Sequence, residues 1–354
     1  MVEWLAGNRI RGTNTERIIF PTATGISKAS GGWKEVGRLT VGTAGKSIDV
    51  SGLDNKRYYM ILTDAQVTGG TMQMNYRIGT GSYSNSGYGH RRSDNWGTDA
   101  TVQGNDEMPM ENLTSAYPRF TVSYMANLTG KFKLEQGFLV ADSASYPEHA
   151  SCVNKWSGTT VINQIQAFTE ASGNFAVGAE LVILGYDPAD THTTNFWEEL
   201  GTVSGDGSTD ALNVNIAAKK YLWVQYYLDP AASYTPEMRF NGSTASEYTN
   251  SYSNNGGGHA EDGTAAGYYP SQGGERPQFN NMFIMNRGDK SKLCMNTCVY
   301  QGDVGINGSA TTPDHIESVG KWANNSQITS IKMESNGNNS ALSTSSFMKV
   351  WGSN

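Results

Sequence analysis

The sequence predicts an all-β fold: two tandem antiparallel β-sandwich domains, jelly-roll-like, behind an extended N-terminal arm. The first observation behind this is internal duplication. Trp33-x-Glu35-x-Gly37 returns as Trp197-x-Glu199-x-Gly201, and Lys56-Arg57-Tyr58 returns as Lys219-Lys220-Tyr221. Phe120-x6-Asn127-x3-Lys131-x-Lys133-Leu134 becomes Phe279-x6-Asn286-x3-Lys290-x-Lys292-Leu293. Pro147-Glu148-His149-x3-Val153-x-Lys155-Trp156 becomes Pro313-Asp314-His315-x3-Val319-x-Lys321-Trp322. Self-similarity over a whole half-chain means two copies of one domain rather than a solenoid of short units. The second observation is composition. Only 17% of the 354 residues are charged and 41 are glycine, so Ser, Thr, Asn and Gly supply the surface, as in turn-rich β proteins where Gly and Asn provide positive φ. The third is the pattern of short runs, β-branched or aromatic, bounded by Gly, Asn, Asp or Pro, while helix signals are scarce.

Residues 1–28 precede both copies and form the expected docking arm. Arg9, Arg11, Arg17 and Lys28 stand there against Glu3 and Glu16, with Trp4 as the apolar anchor. Copy one spans 29–188, with strands expected at 58–62, 120–125, 131–140, 162–168 and 181–184. A linker follows over 189–196, carrying Pro188 just before it and several threonines within it. Copy two spans 197–354, with strands at 221–228, 279–285, 292–300 and 328–333. Such spacing fits about eight strands per copy. The polar stretches 79–110 and 241–278 read as long loops, which at that length carry function or a subunit contact.

Motifs for catalysis do not assemble. Gly45-Lys46-Ser47 lacks the earlier glycine of a phosphate loop, where Thr40 stands, and no helix follows. Asp206-x-Ser208-x-Asp210 opens like a calcium loop, but Ala217 occupies the position of the closing glutamate. His149 and His315 recur, yet the acid beside each points to the opposite face of an extended segment, so a structural histidine at a loop–strand junction is expected. Glu35 and Glu199 are expected to face solvent or to pair with Lys56, Arg57 and their counterparts. The reading is therefore non-enzymatic, with no cofactor and no metal. A net charge of −7 argues against nucleic acid, and no stretch is long and apolar enough to span a bilayer. The three cysteines make no disulfide framework: Cys294 and Cys298 are too far apart along one strand, and Cys152 lies in the other copy.

Candidate contacts fall in the aromatic loops: Tyr83, Tyr88, His90, Asn95 and Trp96 in copy one, and Tyr248, Tyr252, Asn254, Asn255 and His259 in copy two. Tyr and Trp are enriched at protein interfaces, and the same mixture could stack on sugar rings. Trp96 is matched by Gly256, so two identical sugar sites are not expected.

A family resemblance is carried by Trp4-Leu5-Ala6-Gly7-Asn8-Arg9-Ile10-Arg11-Gly12-Thr13, Trp33-Lys34-Glu35-Val36-Gly37-Arg38, Lys56-Arg57-Tyr58-Tyr59-Met60, Arg92-Ser93-Asp94-Asn95-Trp96-Gly97 and Gly320-Lys321-Trp322-Ala323-Asn324. In these the chain resembles internally duplicated virion structural proteins of marine tailed phages and related environmental viruses. Asn255-Gly256-Gly257 matches the family's loop, and copy one departs from it at Trp96. The resemblance implies a virion protein, assembled in the host cytoplasm into a symmetric homo-oligomer with other virion proteins as partners. The alternative is a receptor-binding tail fibre or lectin-like module that takes host surface glycan.

Overall fold

The computed structural model describes residues 3–5, 9–11, 32–188, 190, 194–232, 234–271, 277–300, 313–335 and 340–354. Among these the chain is all-β, without an α-helix. Two short strands, β1 (Glu3–Leu5) and β2 (Arg9–Arg11), form a hairpin that pairs Trp4 with Ile10. Of the arm residues, Glu16, Arg17 and Lys28 lie outside the described residues.

Copy one begins with β3 (Lys34–Thr40), β4 (Ser47–Ser51), β5 (Tyr58–Ala65), β6 (Val67–Thr68) and β7 (Asn75–Gly79). It continues through β8 (Tyr88–Asp94), β9 (Ala100–Asn105), β10 (Met108–Pro109), β11 (Arg119–Ala126) and β12 (Lys133–Ala141). It closes with β13 (Glu148–Trp156), β14 (Gln164–Phe168), β15 (Asn174–Phe175) and β16 (Glu180–Tyr186). Copy two comprises β17 (Glu198–Ser204), β18 (Ala211–Asn215), β19 (Tyr221–Leu228), β20 (Pro236–Phe240), β21 (Tyr248–Asn254) and β22 (Ala260–Ala265). After these come β23 (Gln278–Met285), β24 (Lys292–Tyr300), β25 (Asp314–Trp322), β26 (Ser330–Ser335) and β27 (Phe347–Ser353).

Each copy is a large sheet packed on a small one, with the same topology. The large sheet of copy one runs β3-β16-β5-β11-β12-β13-β8-β9, and that of copy two runs β17-β27-β19-β23-β24-β25-β21-β22. The small sheets are β10-β7-β14-β4 and β18-β26-β20. The large sheet alone thus has eight strands. The stretches expected as long loops are a correction: β8 and β9 lie within 79–110, and β21 and β22 within 241–278. These strands are polar and sit at or next to a sheet edge, so they lack the apolar alternation that marks a half-buried strand.

The repeated motifs are spent on holding this fold. Asn127 donates to the carbonyl of Lys56 and accepts the amide of Ile162 at 2.9 Å; Asn286 donates to Lys219 O and accepts Ile328 N at 2.6 Å. Lys133 donates to the carbonyls of Leu128 and Lys131, and Lys292 to that of Asn324. Each buried ammonium therefore ties a loop by charge-assisted bonds. Gly137 in copy one and Gly320 in copy two stand at non-equivalent positions, yet at each a Cβ would lie too close to a core side chain, 2.3 Å from the Met110 methyl and 2.4 Å from the Tyr268 ring respectively, so only glycine lets those side chains lie flat on the sheet.

The two large sheets then pack on each other, giving the layer order small, large, large, small. Met60, Leu62, Phe120, Val122, Val140, Val182 and Leu184 of copy one share an apolar cluster with Tyr221, Phe283, Met285, Leu293, Met295 and Val319 of copy two. This explains why β5 is buried along nearly its whole length and reads as a continuous apolar run. The linker contributes Phe196, packed edge to face at 5.0 Å on Trp197, the first residue of copy two, in the same cluster.

A polar clasp closes one end of this contact. Glu180 accepts from Thr40 at 2.7 Å, from Lys220 at 2.9 Å and from Tyr221 OH at 2.7 Å, and Asp64 accepts from Arg287 at 3.0 Å and lies 3.1 Å from Lys220. Burial alone would raise the Glu180 carboxyl, but these hydrogen bonds and the Lys220 charge hold it down at about 2.

Candidate functional site

The outer face of each large sheet is the place to look, because the other face is core. Along copy one, Tyr58, Ala126, Leu134 and Lys155 lie side by side in one row, and Tyr124, Gln136, Val153 and Arg91 in the next. These rows form the proximal end of the sheet, where β5 begins. Copy two leaves these rows open except at Tyr124, which packs against the cluster that the copies share. They floor an open trough of about 880 Å³, walled by Trp33, Tyr186 and the hairpin strand β9. Trp33 packs on Tyr186 at 5.7 Å and on Tyr124 at 6.3 Å, and Tyr58 stacks on Tyr186 at 6.3 Å. Leu134 is 58% and Val153 49% exposed, unusual for apolar strand residues facing one hollow.

At the distal end, where β5 ends, Asp64, Phe120, Val140 and His149 make a row with Glu180 beside Asp64. Copy two covers this end. Its own distal row is Tyr227, Phe279, Val299 and His315, with Phe347 beside Tyr227. Here Phe279 is 42% and Val299 49% exposed. The molecule therefore presents two uncovered apolar rows, one on each copy and at opposite ends of the repeat.

The residues singled out in the sequence are dispersed by the fold. Tyr88 and Tyr248, placed on ligand or interface loops, lie in β8 and β21 with 1% and 0% exposure. Each hydroxyl turns inward: Tyr88 bonds the amide and carbonyl of Ile78 at 3.1 Å, and Tyr248 bonds those of Phe240 at 2.9 and 3.3 Å. Each ring stacks on the tryptophan of its Lys-Trp motif, Trp156 or Trp322. Buried rings cannot make a sugar platform, so that role is corrected for this pair. Tyr83 is half-buried beside Asp49. His90 is buried against Arg92 at the trough, and burial followed by the Arg92 charge lowers its pKa. Tyr252 packs on Cys298, Tyr300 and Ile316, and Asn254 ends β21.

Asn95 and Asn255 open matching hairpin turns. Both adopt positive φ, 45° and 53°, and each side chain accepts a strand amide at 2.8 Å, from His149 and His315 respectively. The next residue also needs positive φ. Copy two supplies Gly256 at 67°, while copy one holds Trp96 at 54°, a conformation costing a bulky residue about 1–2 kcal/mol. Contacts across the domain junction offset this. The Trp96 ring stacks on His149 at 4.4 Å and on His259 at 5.4 Å, and its Nε1 donates to Glu317 at 3.0 Å. Trp96 and His259 thus meet between the copies. Trp96→Gly is expected to leave the chain about 1 kcal/mol more stable than Trp96→Ala, reversing the usual order, because alanine loses the contacts yet keeps the strained φ. Chemical denaturation of the two variants checks this.

Other expectations resolve locally. His149 is the second residue of β13, at the loop–strand junction; its ring is held by stacking, and burial pushes its pKa down to about 3. Glu35 pairs with Arg38 at 2.7 Å and Glu199 with Lys349 at 2.9 Å, while Lys56 pairs with Asp190. Both glutamates face solvent, as one of the two expectations had it; their cation partners are not Lys56 and Arg57, because β3 and β17 face β16 and β27, which puts other groups closer. Lys46 of the Gly-Lys-Ser triplet ties the carbonyl of Gly173 at 2.8 Å. Asp206 accepts the amides of Ser208 and Thr209 at 2.8 Å, capping its own turn. The three cysteines are buried and free. Among the described residues no group of three or more His, Cys, Asp or Glu is placed to hold a metal ion, and no helix is long and apolar enough to cross a membrane.

Sequence reasoning missed the trough and the clasp. Tyr58, Leu134 and Val153 are close only through strand pairing, and Glu180 meets Lys220 only through the sheet-on-sheet contact. The available signal was a comparison of the two copies position by position on the outer face.

Comparisons with known proteins add no family. No family model matches the chain, and no curated protein matches it. Among solved structures, a NanC porin is similar at 9% identity over 75% of this chain and 99% of the porin, with a TM-score of 0.12. The transport unit of the autotransporter AIDA-I from Escherichia coli is similar at 10% identity over 76% of this chain and 90% of that one, with a TM-score of 0.12. An acyl-CoA hydrolase from Agrobacterium tumefaciens is similar at 7% identity over 67% of this chain and 76% of its own, with a TM-score of 0.11. Likenesses of this size carry no argument about fold or function.

Proposed function

We propose that this chain is a non-enzymatic structural component of a viral particle, one that self-assembles or decorates a capsid, neck or tail. The observation that carries the reading is the pair of uncovered apolar rows on the large sheets, with Leu134, Val153, Phe279 and Val299 exposed on otherwise packed strands. Apolar surface gathered in this way is contact surface. The resemblance of the opening, Trp33 and Lys-Trp motifs to duplicated virion proteins supports the same reading. So does the employment of the repeated Asn, Lys and Tyr side chains in fold-holding bonds rather than at a convergent polar site. Within this proposal the N-terminal arm, with Trp4, Arg9, Arg11 and Arg17, fastens the subunit to a neighbour. Deleting residues 1–28 is expected to abolish incorporation into particles while both domains keep their thermal transitions. Incorporation at the parent level would remove the arm from the assembly scheme.

A second reading, a module binding host surface glycan, is favoured by the trough itself. Its rings at Trp33, Tyr58 and Tyr124 stand near Gln103, Gln136 and Arg91, groups able to stack on sugar faces and to orient hydroxyls.

A further inference from the structure

The contact between the two copies is not reciprocal. Copy one uses its distal end, with Asp64, Phe120 and Val140, whereas copy two uses its proximal end, with Tyr221, Leu293 and Val319. The matching repeat motifs place Tyr58, Leu134 and Val153 at the positions of Tyr221, Leu293 and Val319, and these three line the open trough. The same matching places Tyr227, Phe279 and Val299 at the positions of Asp64, Phe120 and Val140, and Phe347 at that of Glu180. One copy of each docking surface is therefore used inside the chain, and the other copy of each is left over.

We infer that the trough of copy one receives the distal row of copy two from a second copy of this chain, repeating the internal contact head to tail. This rests on the assembly reading above and names its partner. An interface that joins two different patches leaves one of each patch free at the ends of every oligomer, so it grows into a ring or a filament.

The polar residues change in step on both sides, as a repeated contact requires. Inside the chain, Asp64 and Glu180 face Lys220 and Arg287. At the leftover pair the acids become Tyr227 and Phe347, stacked at 6.3 Å, and the position of Arg287 becomes Leu128, which is exposed. Two carboxylates are lost from one surface and one cation from the other, and the remaining cation, Arg57, lies 3.9 Å from Asp187 of its own copy, so it does not need a carboxylate from the partner. Arg57, at the position of Lys220, remains charged, and a guanidinium can lie over an aromatic face. The anchor at Trp96 is not repeated, since Gly256 takes its place. The contact between chains is accordingly weaker than the one within, and reversible.

Sedimentation velocity on the full chain tests this with two exposed-site variants, Leu134→Arg in the trough and Phe279→Arg on the distal row, each checked for an unchanged thermal transition. The parent is expected to grow beyond a dimer as concentration rises. Each variant alone is expected to stay monomeric, with association weakened at least about tenfold. An equimolar mixture is expected to form a one-to-one dimer and stop there, because each variant keeps the surface that the other lacks. Three results would overturn the inference: a parent that stays monomeric, a variant that associates like the parent, or a mixture that stays monomeric. A monomeric parent whose trough variant loses signal on a glycan array would assign the trough to sugar instead. Variants that still associate, in a chain whose particle incorporation depends on residues 1–28, would leave the assembly reading standing and remove only the head-to-tail contact.

Discussion

Arg119→Met is expected to destabilise copy one by about 3–5 kcal/mol, the largest effect of any single substitution considered. Arg119 is fully buried and ion-paired with Glu111, itself fully buried. The guanidinium also donates to the carbonyl of Met72 at 2.8 Å and to the Ser115 hydroxyl at 3.0 Å. Removing it strands a carboxylate in the core and leaves several carbonyls without donors. Copy two shows how the same place is filled without charge. Gln278 stands where Arg119 does, and Ser271 where Glu111 does, and the two are hydrogen-bonded. The double variant Glu111→Ser with Arg119→Gln is therefore expected to recover most of the loss, to within about 1–2 kcal/mol of the parent. Urea denaturation of parent, single and double variants measures the coupling; additive losses would sink the account.

Glu135→Gln is expected to remove a pH dependence from the same domain. Glu135 lies in the sandwich core with Asn154 donating to it at 2.6 Å and no cation beside it. Burial raises its carboxyl from 4.5 to about 7, with the hydrogen bonds from Asn154 and Ser123 opposing the rise. Between those values the folded chain holds a proton that the unfolded chain has released. Stability therefore falls as pH rises from about 4.5 to 7, and the full penalty persists above that. A carboxyl held at about 7 rather than 4.5 corresponds to about 3 kcal/mol. The glutamine variant should gain about that much on the parent between pH 4.5 and pH 8, as read from denaturation midpoints across that range. Parallel curves would sink the account. Glu107, also raised to about 7 by burial and by neighbouring Glu170 and Asp106, titrates in both proteins and cancels in the difference. The matching position in copy two is Cys294, buried and uncharged, so the site tolerates a neutral side chain.

The all-β class was legible because period-2 runs with aromatic and β-branched residues survive any tertiary context, and the duplication doubled the signal. Strands whose partners are polar were not. Residues 88–94 and 248–254 pair along their length with β13 and β25, yet they are mostly Gly, Arg, Ser, Thr and Asn, so nothing in the pattern marks them as strands. The aromatic loops attracted attention for the right composition and the wrong reason. Tyr88 and Tyr248 recur because their hydroxyls close a core hydrogen bond, whereas Trp96 and His259 reach the junction. The trough was illegible because it is defined by what copy two leaves uncovered, and sheet-on-sheet offset has no local signature. Comparing Asp64 with Tyr227 and Arg287 with Leu128 would have exposed it, since charge that disappears from both members of a pair reports a contact.

The topology also sets a timetable for synthesis. In copy one β16 is inserted between β3 and β5, and in copy two β27 is inserted between β17 and β19. The strand that completes each large sheet is thus the last one made. Until residue 186 has left the ribosome, β3 and β5 have no partner between them, and their edges stand open. Because the two gaps have the same shape, β27 is a competitor for the place of β16 whenever the first domain closes late. Synthesis in order, with copy one complete before copy two begins, is what keeps each closing strand in its own domain.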